Sequence, residues 1–373
     1  MKEEFVDRVR RRLAAAGAAA TPVSVTTALR DEGLVLPEAT IVDVVNALRT
    51  EISGLGVLEP LVALPGVTDV LVNGPDQVWI DDGQGLRKTD VRFGNEGSVR
   101  RLAQRLASTA GRRLDDSSPF VDARLPEGIR LHAILPPISP HGTCVSLRIP
   151  RRQVFSLPDL VRVGMVPADG LPILATLITR RRAFLVSGGT GTGKTTILNS
   201  LLSAVGHHER IVIVEDSAEL SPEHPHVVRL EARPPNSEGT GQISMRDLVR
   251  QALRMRPDRV VIGEVRGGEV VDLLAALNTG HEGGCATVHA NSAADIPARL
   301  ESLALPAGLN RDGLHAQVAA GLHAVVHVTR GSDGSRRVAG VAVMERVEGL
   351  VRTVPAVVFR GDAVIAGPGR DRL

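Results

Sequence analysis

The run Phe184-Leu185-Val186-Ser187-Gly188-Gly189-Thr190-Gly191-Thr192-Gly193-Lys194-Thr195 decides the fold. Its first four residues read as a buried strand, and the next eight fit G-x-x-x-x-G-K-[ST], the Walker A pattern. After it Ile197, Leu198, Leu201, Leu202 and Val205 recur at helical spacing, so strand, loop and helix follow in the required order. Glycines let backbone N–H groups turn onto phosphate oxygens, and the helix N-terminus adds its dipole. Gly188, Gly189, Thr190, Gly191, Thr192, Gly193, Lys194, Thr195 and Thr196 are therefore the candidate nucleotide-binding residues. In such a loop Lys194 reaches the β- and γ-phosphates of ATP and Thr195 ligates Mg2+. Composition sharpens the match: Lys2, Lys88 and Lys194 are the three lysines among 44 basic residues, leaving 41 arginines. One of those three falls where a compact ammonium is needed.

Downstream, three segments have spacings that an α/β sheet would bring to its strand ends. Ile211-Val212-Ile213-Val214-Glu215-Asp216 is an apolar strand delivering carboxylates at its C-terminal end, where ligands of such sheets bind. A pair of solvated strand-end acids would have the same pattern. Arg259-Val260-Val261-Ile262-Gly263-Glu264-Val265-Arg266 is a second strand, with Gly263 where the general Walker B pattern has its Mg2+-linked aspartate. Glu264 is the candidate catalytic acid, able to orient the attacking water or polarise the metal's water shell. The third segment holds His281 and His289, eight apart around Gly283-Gly284 and a short strand. A histidine that hydrogen-bonds near the γ-phosphate suits this position better than a metal pair, which has no third ligand nearby; structural histidines are the remaining alternative.

Working outward, 373 residues exceed one small core, and aromatics at 2% leave Ala, Val, Leu and Ile to build it, as suits helices on a parallel sheet. From Phe5 to about Thr50 the apolar spacing is helical, and from Leu58 strands and turns alternate as in a small α+β domain. Within that domain a helix is expected around Val99 to Ala107, with strands Arg130 to Ile134 and Cys144 to Ile149 joined by the Pro136-Pro137 turn. The expected division is a helical segment at 1–50, an α+β domain at 51–150, a linker at 151–170 and an ATPase domain at 171–373. A net charge of +2 is no concentrated field for nucleic acid, and no apolar run reaches the ~20 residues that cross a bilayer. Cys144 and Cys285 form neither a disulfide framework nor a four-thiolate zinc site, and a reducing cytoplasm is expected.

With the four segments in order, the chain resembles the type II/type IV secretion ATPase family, matching its Walker A, Asp box, Walker B and His box from about Leu55 to Thr329. Asp115-Asp116-Ser117-Ser118-Pro119-Phe120-Val121-Asp122-Ala123-Arg124-Leu125-Pro126, Leu135-Pro136-Pro137-Ile138-Ser139, Leu58-Glu59-Pro60-Leu61 and Val72-Asn73-Gly74-Pro75 look like its tight-adherence (Tad/Flp) pilus branch, the TadA/CpaF-like ATPases. The resemblance implies a RecA-like P-loop core with a smaller, PAS-like α+β domain before it. It also implies a homohexameric ring that binds ATP and Mg2+ between domains, docked under an inner-membrane platform protein at the inner face of the membrane. The family roles carry over to Lys194 and Thr195, to Glu215 in the Asp box, Glu264 in Walker B and His289 in the His box. Arg130 and Arg148 fall where the family sends arginines to the γ-phosphate, with plain surface charge as the alternative. Two cysteines cannot supply the tetracysteine zinc motif of the assembly ATPases, which disfavours that branch, and the tail from Arg330 to Leu373 has no match to the family and reads as a few added strands. Two other functions share the core: a RecA-like nucleic-acid motor, disfavoured by the scarcity of aromatics for base stacking, and a non-hydrolysing regulatory ATPase, disfavoured by the full set of catalytic residue types.

Overall fold

A computed structural model of the chain describes residues 54–373 apart from 84, 126–127, 151–154, 234 and 236–238, together with isolated residues 12, 24, 26 and 27. The helical segment expected at 1–50 lies almost wholly outside the described residues. The chain divides into two compact units, Met1–Arg151 and Arg152–Leu373.

In the first unit α1 (Glu59–Val62) precedes β1 (Asp69–Asn73), β2 (Val78–Asp81), β3 (Leu86–Lys88), α2 (Glu96–Thr109), β4 (Phe120–Arg124), β5 (Arg130–Ile134) and β6 (Cys144–Arg148). The strands form one antiparallel sheet in the order β3-β2-β1-β6-β5-β4. Alternation along β1, β2, β5 and β6 sends every second residue inward, as expected for a sheet with one covered face. Helix α2 covers that face with Val99, Leu102, Ala103, Leu106 and Ala107. It starts at Asn95, whose side chain accepts from the Ser98 N–H at 3.0 Å. The Pro136-Pro137 peptide in the β5–β6 connection is cis.

The second unit holds α3 (Leu157–Arg162), α4 (Leu171–Thr179), β7 (Phe184–Gly188), α5 (Lys194–Ser203), β8 (Ile211–Glu215), β9 (Val227–Glu231), α6 (Met245–Leu253), β10 (Arg259–Val265), α7 (Glu269–Leu277), β11 (Cys285–His289), α8 (Ile296–Ala304) and α9 (Arg311–Gly321). Then come β12 (Ala324–Arg330), β13 (Arg336–Val347), β14 (Leu350–Arg360) and β15 (Ala363–Ala366). One sheet runs β15-β14-β13-β12-β7-β11-β10-β8-β9. It is parallel from β12 to β9 and antiparallel beyond β12.

Strands β7 and β8 are buried along their whole length because helices cover both faces. Phe184, Val186, Ile211 and Ile213 pack on one side with α3, α4 and α5, and Leu185, Val212 and Val214 pack on the other with α6 to α9. The stretch expected as a linker is therefore folded from Phe155 on: Leu160 and Val166 lie in the core, and α3 opens with a Ser156–Asp159 capping box. The tail is likewise structural, since β13 to β15 extend the sheet and Val357 and Phe359 pack in the same core.

At the N-terminal ends of the strands Arg259, only 1% exposed, is clamped by Glu209. Its Nε donates to Oε2 at 2.9 Å and one Nη to Oε1 at 3.2 Å, while that Nη also donates to the Ile178 carbonyl at 2.8 Å. Arg181 adds a second contact to Glu209 at 3.3 Å. Glu209→Ala strands a buried guanidinium and is expected to cost roughly 3–5 kcal/mol. A Glu209→Leu, Arg259→Met double variant should recover most of that loss. Unfolding midpoints of the three proteins check this, and an unshifted Glu209→Ala midpoint contradicts it.

Candidate functional site

The site grows from the C-terminal edge of the parallel strands. The ladder pairs Gly188 of β7 with His289 of β11, Val265 of β10 with Val288, and Ile262 with Val214 of β8. Four strands thus end at one level, and the polar residues that the buried strands exclude collect there. Gly188 leaves β7 in close contact with β12: a Cβ on it would sit 2.3 Å from the Val328 carbonyl oxygen, which no side chain tolerates. The loop then turns through Gly193, left-handed at φ 96°, into α5.

Lys194 is buried, and its ammonium donates to the carbonyls of Gly188 at 3.1 Å and Gly189 at 2.8 Å, inside the curl of its own loop. It also lies 3.5 Å from Nδ1 and 3.4 Å from Nε2 of His289. His289 Nε2 is 2.8 Å from Glu264 Oε1, so the chain lysine, histidine, glutamate is continuous. Burial first, then the Lys194 charge, hold His289 below its ordinary pKa, leaving a neutral ring that donates from Nε2 to Glu264. Burial likewise lowers Lys194, against the opposing pull of Glu264 and Glu219. Burial raises Glu264, but the Arg266 hydrogen bond and charge, with His289 and Lys194, bring it net below the usual carboxylate value.

Glu215 is placed differently from the other candidates. It is 2% exposed, and its Oε1 accepts the N–H groups of Glu219 and Leu220, each at 2.9 Å, so it braces the loop after β8 from beneath. Its side chain fills the space beside Gly263: a Cβ there would lie 2.5 Å from Glu215 Cγ. Gly263 stands in place of a Walker B aspartate because the neighbouring strand's glutamate already occupies that volume. Burial raises the Glu215 carboxyl from an ordinary 4.5 to about 7, against the two backbone N–H bonds.

Other placements follow from the topology. His281 precedes β11 while His289 ends it, so the two histidines lie at opposite ends of one strand and form no metal pair. Among the described residues no group of His, Cys, Asp and Glu is arranged to hold a metal ion. Buried Cys285 has its thiol pushed up to about 12, which makes it unreactive. Thr195 and Thr196 open α5 immediately after Lys194.

In the first unit Arg148 and Arg130 are cross-strand partners, and Arg130 pairs in turn with Arg124. Arg148 donates from Nε to Asp69 at 3.2 Å. The sequence reading missed Arg124, Glu219 and Arg266. Arg266 donates to Glu264 Oε2 at 2.7 Å and to Asp216 Oδ2 at 2.9 Å, and Glu219 contributes to the field at both Lys194 and Arg266. The two-residue spacing of Glu264 and Arg266 at the end of an apolar strand was the available signal.

With this geometry, comparison with known proteins becomes decisive: a family model described as type II/IV secretion system protein matches residues 51–354. The chain belongs to the type II/IV secretion system protein family. That match continues past Thr329 through β13 into β14, so most of the tail is family structure rather than an unmatched addition. A putative conjugal transfer protein of Mycobacterium tuberculosis is 55% identical over 315 residues, covering 83% of this chain and 90% of that protein. Type IV secretion system protein PtlH of Bordetella pertussis is 33% identical over 264 residues, covering 64% of this chain and 77% of PtlH. Among solved structures, the pilus retraction motor PilT with bound ADP superposes with a TM-score of 0.57 at 21% identity, over 78% of this chain and 81% of PilT. The ATPase DotB of Legionella pneumophila gives 0.52 at 19%, over 74% of this chain and 77% of DotB. These likenesses bear out the α/β, RecA-like family fold.

Two outcomes follow for this member of the secretion family. Gly263→Ala forces its methyl into Glu215 and is expected to cost roughly 1–3 kcal/mol, with most of the loss recovered on adding Glu215→Ala; unfolding midpoints check both. Between about 4.5 and about 7 the folded chain keeps a proton on Glu215 that the unfolded chain has released. This group's contribution therefore falls as pH rises through that window and is flat above it. Glu215→Gln should remove that part of the slope in a pH series of unfolding midpoints, and an unchanged slope contradicts the assignment.

Proposed function

We propose that this chain is the ATP-hydrolysing subunit of a secretion or pilus-assembly motor of the tight-adherence type. It acts as a homohexamer, cytoplasmic and peripheral at the inner face of the cell membrane, on an inner-membrane platform protein that exports or assembles pilin-like subunits. The observation that carries the reading is the contact series Lys194, His289, Glu264 at the mouth of the glycine loop. It is supported by family membership and by the pilus-type motifs of the first unit. No helix of the described residues is long and apolar enough to cross a membrane, so a platform protein would supply the membrane part.

The residues fit a triphosphate. Lys194 donates to two loop carbonyls at the centre of the curl, a position from which its ammonium can transfer to phosphate oxygens. Thr195, at the first turn of α5, would hold Mg2+, which when bound supplies charge neutralisation between the β- and γ-phosphates. Glu264 orients the attacking water and accepts its proton. His289, neutral and donating from Nε2, marks the γ-phosphate side of Glu264 and exchanges that bond for one to the phosphate. Glu215 acts through the loop it braces, setting Asp216 and Glu219 at the strand end.

Arg130 and Arg148 act on the γ-phosphate. Arg124, Arg130 and Arg148 are register partners in one cross-strand row, with Asp69 engaging Arg148 at 3.2 Å, an arrangement that suits an anionic ligand. A nucleic-acid cargo is disfavoured by an aromatic content of 2%, too little for a stacking platform.

Lys194→Ala is expected to lose nucleotide binding or turnover, and Glu264→Gln to bind ATP yet turn over at least about a hundredfold more slowly. Arg148→Ala, and more weakly Arg130→Ala, should lower turnover by about tenfold or more with ADP affinity nearly unchanged. Phosphate release and ADP dissociation constants on variants of verified oligomeric state check all four. Parental turnover in Lys194→Ala removes the function; parental turnover in both arginine variants removes their role alone.

A further inference from the structure

Arg266 stands one residue beyond β10 and belongs to no phosphate-binding motif, yet it is built into the site from both ends. Its backbone N–H donates to Glu269 Oε1 at 2.6 Å, and that of Gly267 to the same oxygen at 2.8 Å. Glu269 is buried at the start of α7, so the root of Arg266 is fixed by the helix that follows. At its tip, one terminal nitrogen donates to Asp216 Oδ2 at 2.9 Å and the other to Glu264 Oε2 at 2.7 Å. Asp216 is the residue after β8, so the guanidinium ties the ends of two adjacent strands.

The consequence falls on Glu264. A glutamate at a strand end has several rotamers, and holding one of them for reaction costs side-chain entropy. Here each carboxylate oxygen has its own partner, Oε2 on Arg266 and Oε1 on His289 at 2.8 Å. Arg266 occupies the oxygen on the Asp216 side and leaves Oε1 directed to the side where His289 and Lys194 lie. A lysine could not do this, because spanning two carboxylates from separate nitrogens requires the planar fork. With the Arg266 side chain 56% exposed, these ion pairs contribute little to folding stability, so their effect is on orientation.

We propose that Arg266 is a positioning residue for ATP hydrolysis: it holds Glu264 in the orientation that presents Oε1 to the attacking water, and takes its own position from Asp216. This rests on the reading of Glu264 as the water-orienting acid. The other titratable groups facing Glu264 are His289 from β11 and Lys194 from α5; Glu219, from the loop after β8, acts on Arg266 and Lys194.

The test uses the full chain as purified oligomer and compares steady-state ATP turnover of the parent, Arg266→Gln, Arg266→Lys, Asp216→Asn, the Asp216→Asn, Arg266→Gln double variant, and Glu264→Gln. Arg266→Gln is expected to lower kcat roughly ten- to a hundredfold, with KM for ATP within about twofold and the unfolding midpoint unchanged. Arg266→Lys should stay close to Arg266→Gln. Asp216→Asn should lower kcat in the parent and do nothing further once Arg266 is gone, since its effect passes through that side chain. The acid limb of the kcat profile should move to higher pH in Arg266→Gln, because Glu264 loses its hydrogen-bonded cation while His289 and Lys194 remain. Parental kcat in Arg266→Gln beside an inactive Glu264→Gln overturns the inference and leaves the function standing. Independent, multiplying effects of Asp216→Asn and Arg266→Gln also overturn it. Parental turnover in Glu264→Gln removes the acid itself, and the positioning role falls with it.

Discussion

Parallel register is the constraint on which the site depends. In a sheet covered by helices on both faces, a strand has no room for polar side chains until it ends. Strands β7, β8, β10 and β11 are apolar inside and end on one level, so Gly188, Glu215, Glu264 and His289 arrive together although up to a hundred residues of chain separate them. Shifting one strand by a residue would turn its side chains to the opposite face and break the Lys194, His289, Glu264 series. The buried Arg259–Glu209 pair sits at the other end of the same strands, where Arg259 also bonds the carbonyls of Ile178 and Gly283, at 2.8 and 3.5 Å, tying α4 and the turn before β11 to the start of β10. A structural ion pair at one edge and the candidate catalytic set at the other is a division of charge that the apolar strand interiors enforce.

Much of this was legible in the residues. The glycine loop, the strand before it and the helix after it carry their own periodicities, and β8, β10 and β11 are short apolar runs closed by acids or histidine. What the sequence concealed depends on contacts across strands. Gly263 reads as a departure from a pattern until Glu215 is seen to fill its space. Glu215 reads as a strand-end acid facing the ligand, whereas its carboxylate turns under the next loop and leaves Asp216 and Glu219 exposed. Arg266 is one arginine of 41, and only its two-residue spacing from Glu264 sets it apart from surface charge. The stretch after Pro150 reads as a linker from its arginines and prolines, but from Phe155 on Leu160, Met165 and Val166 fold it onto the core. The tail was legible only as a few added strands, because β13 and β14 form an antiparallel hairpin whose alternating residues carry no chemistry to match.

The arginine bias itself has a physical reading. Lysine is retained at 194, where a compact charge must enter a closed loop, while arginine serves where one side chain bridges two partners, as Arg266 and Arg259 do. Arg124, Arg130 and Arg148 stand in one cross-strand row of the first unit, with Asp69 engaging Arg148 at one end. Each of these arginines is therefore explained by geometry and not by net charge, which at +2 is close to balanced.

The central claim is that ATP hydrolysis belongs to this chain and serves protein movement rather than nucleic-acid movement. The most direct measurement is phosphate release from ATP and Mg2+ by the purified full-length oligomer, with and without single-stranded DNA. The account predicts steady turnover that DNA leaves unchanged. Absence of turnover in an intact oligomer, or turnover that arises only when DNA is added, would contradict it.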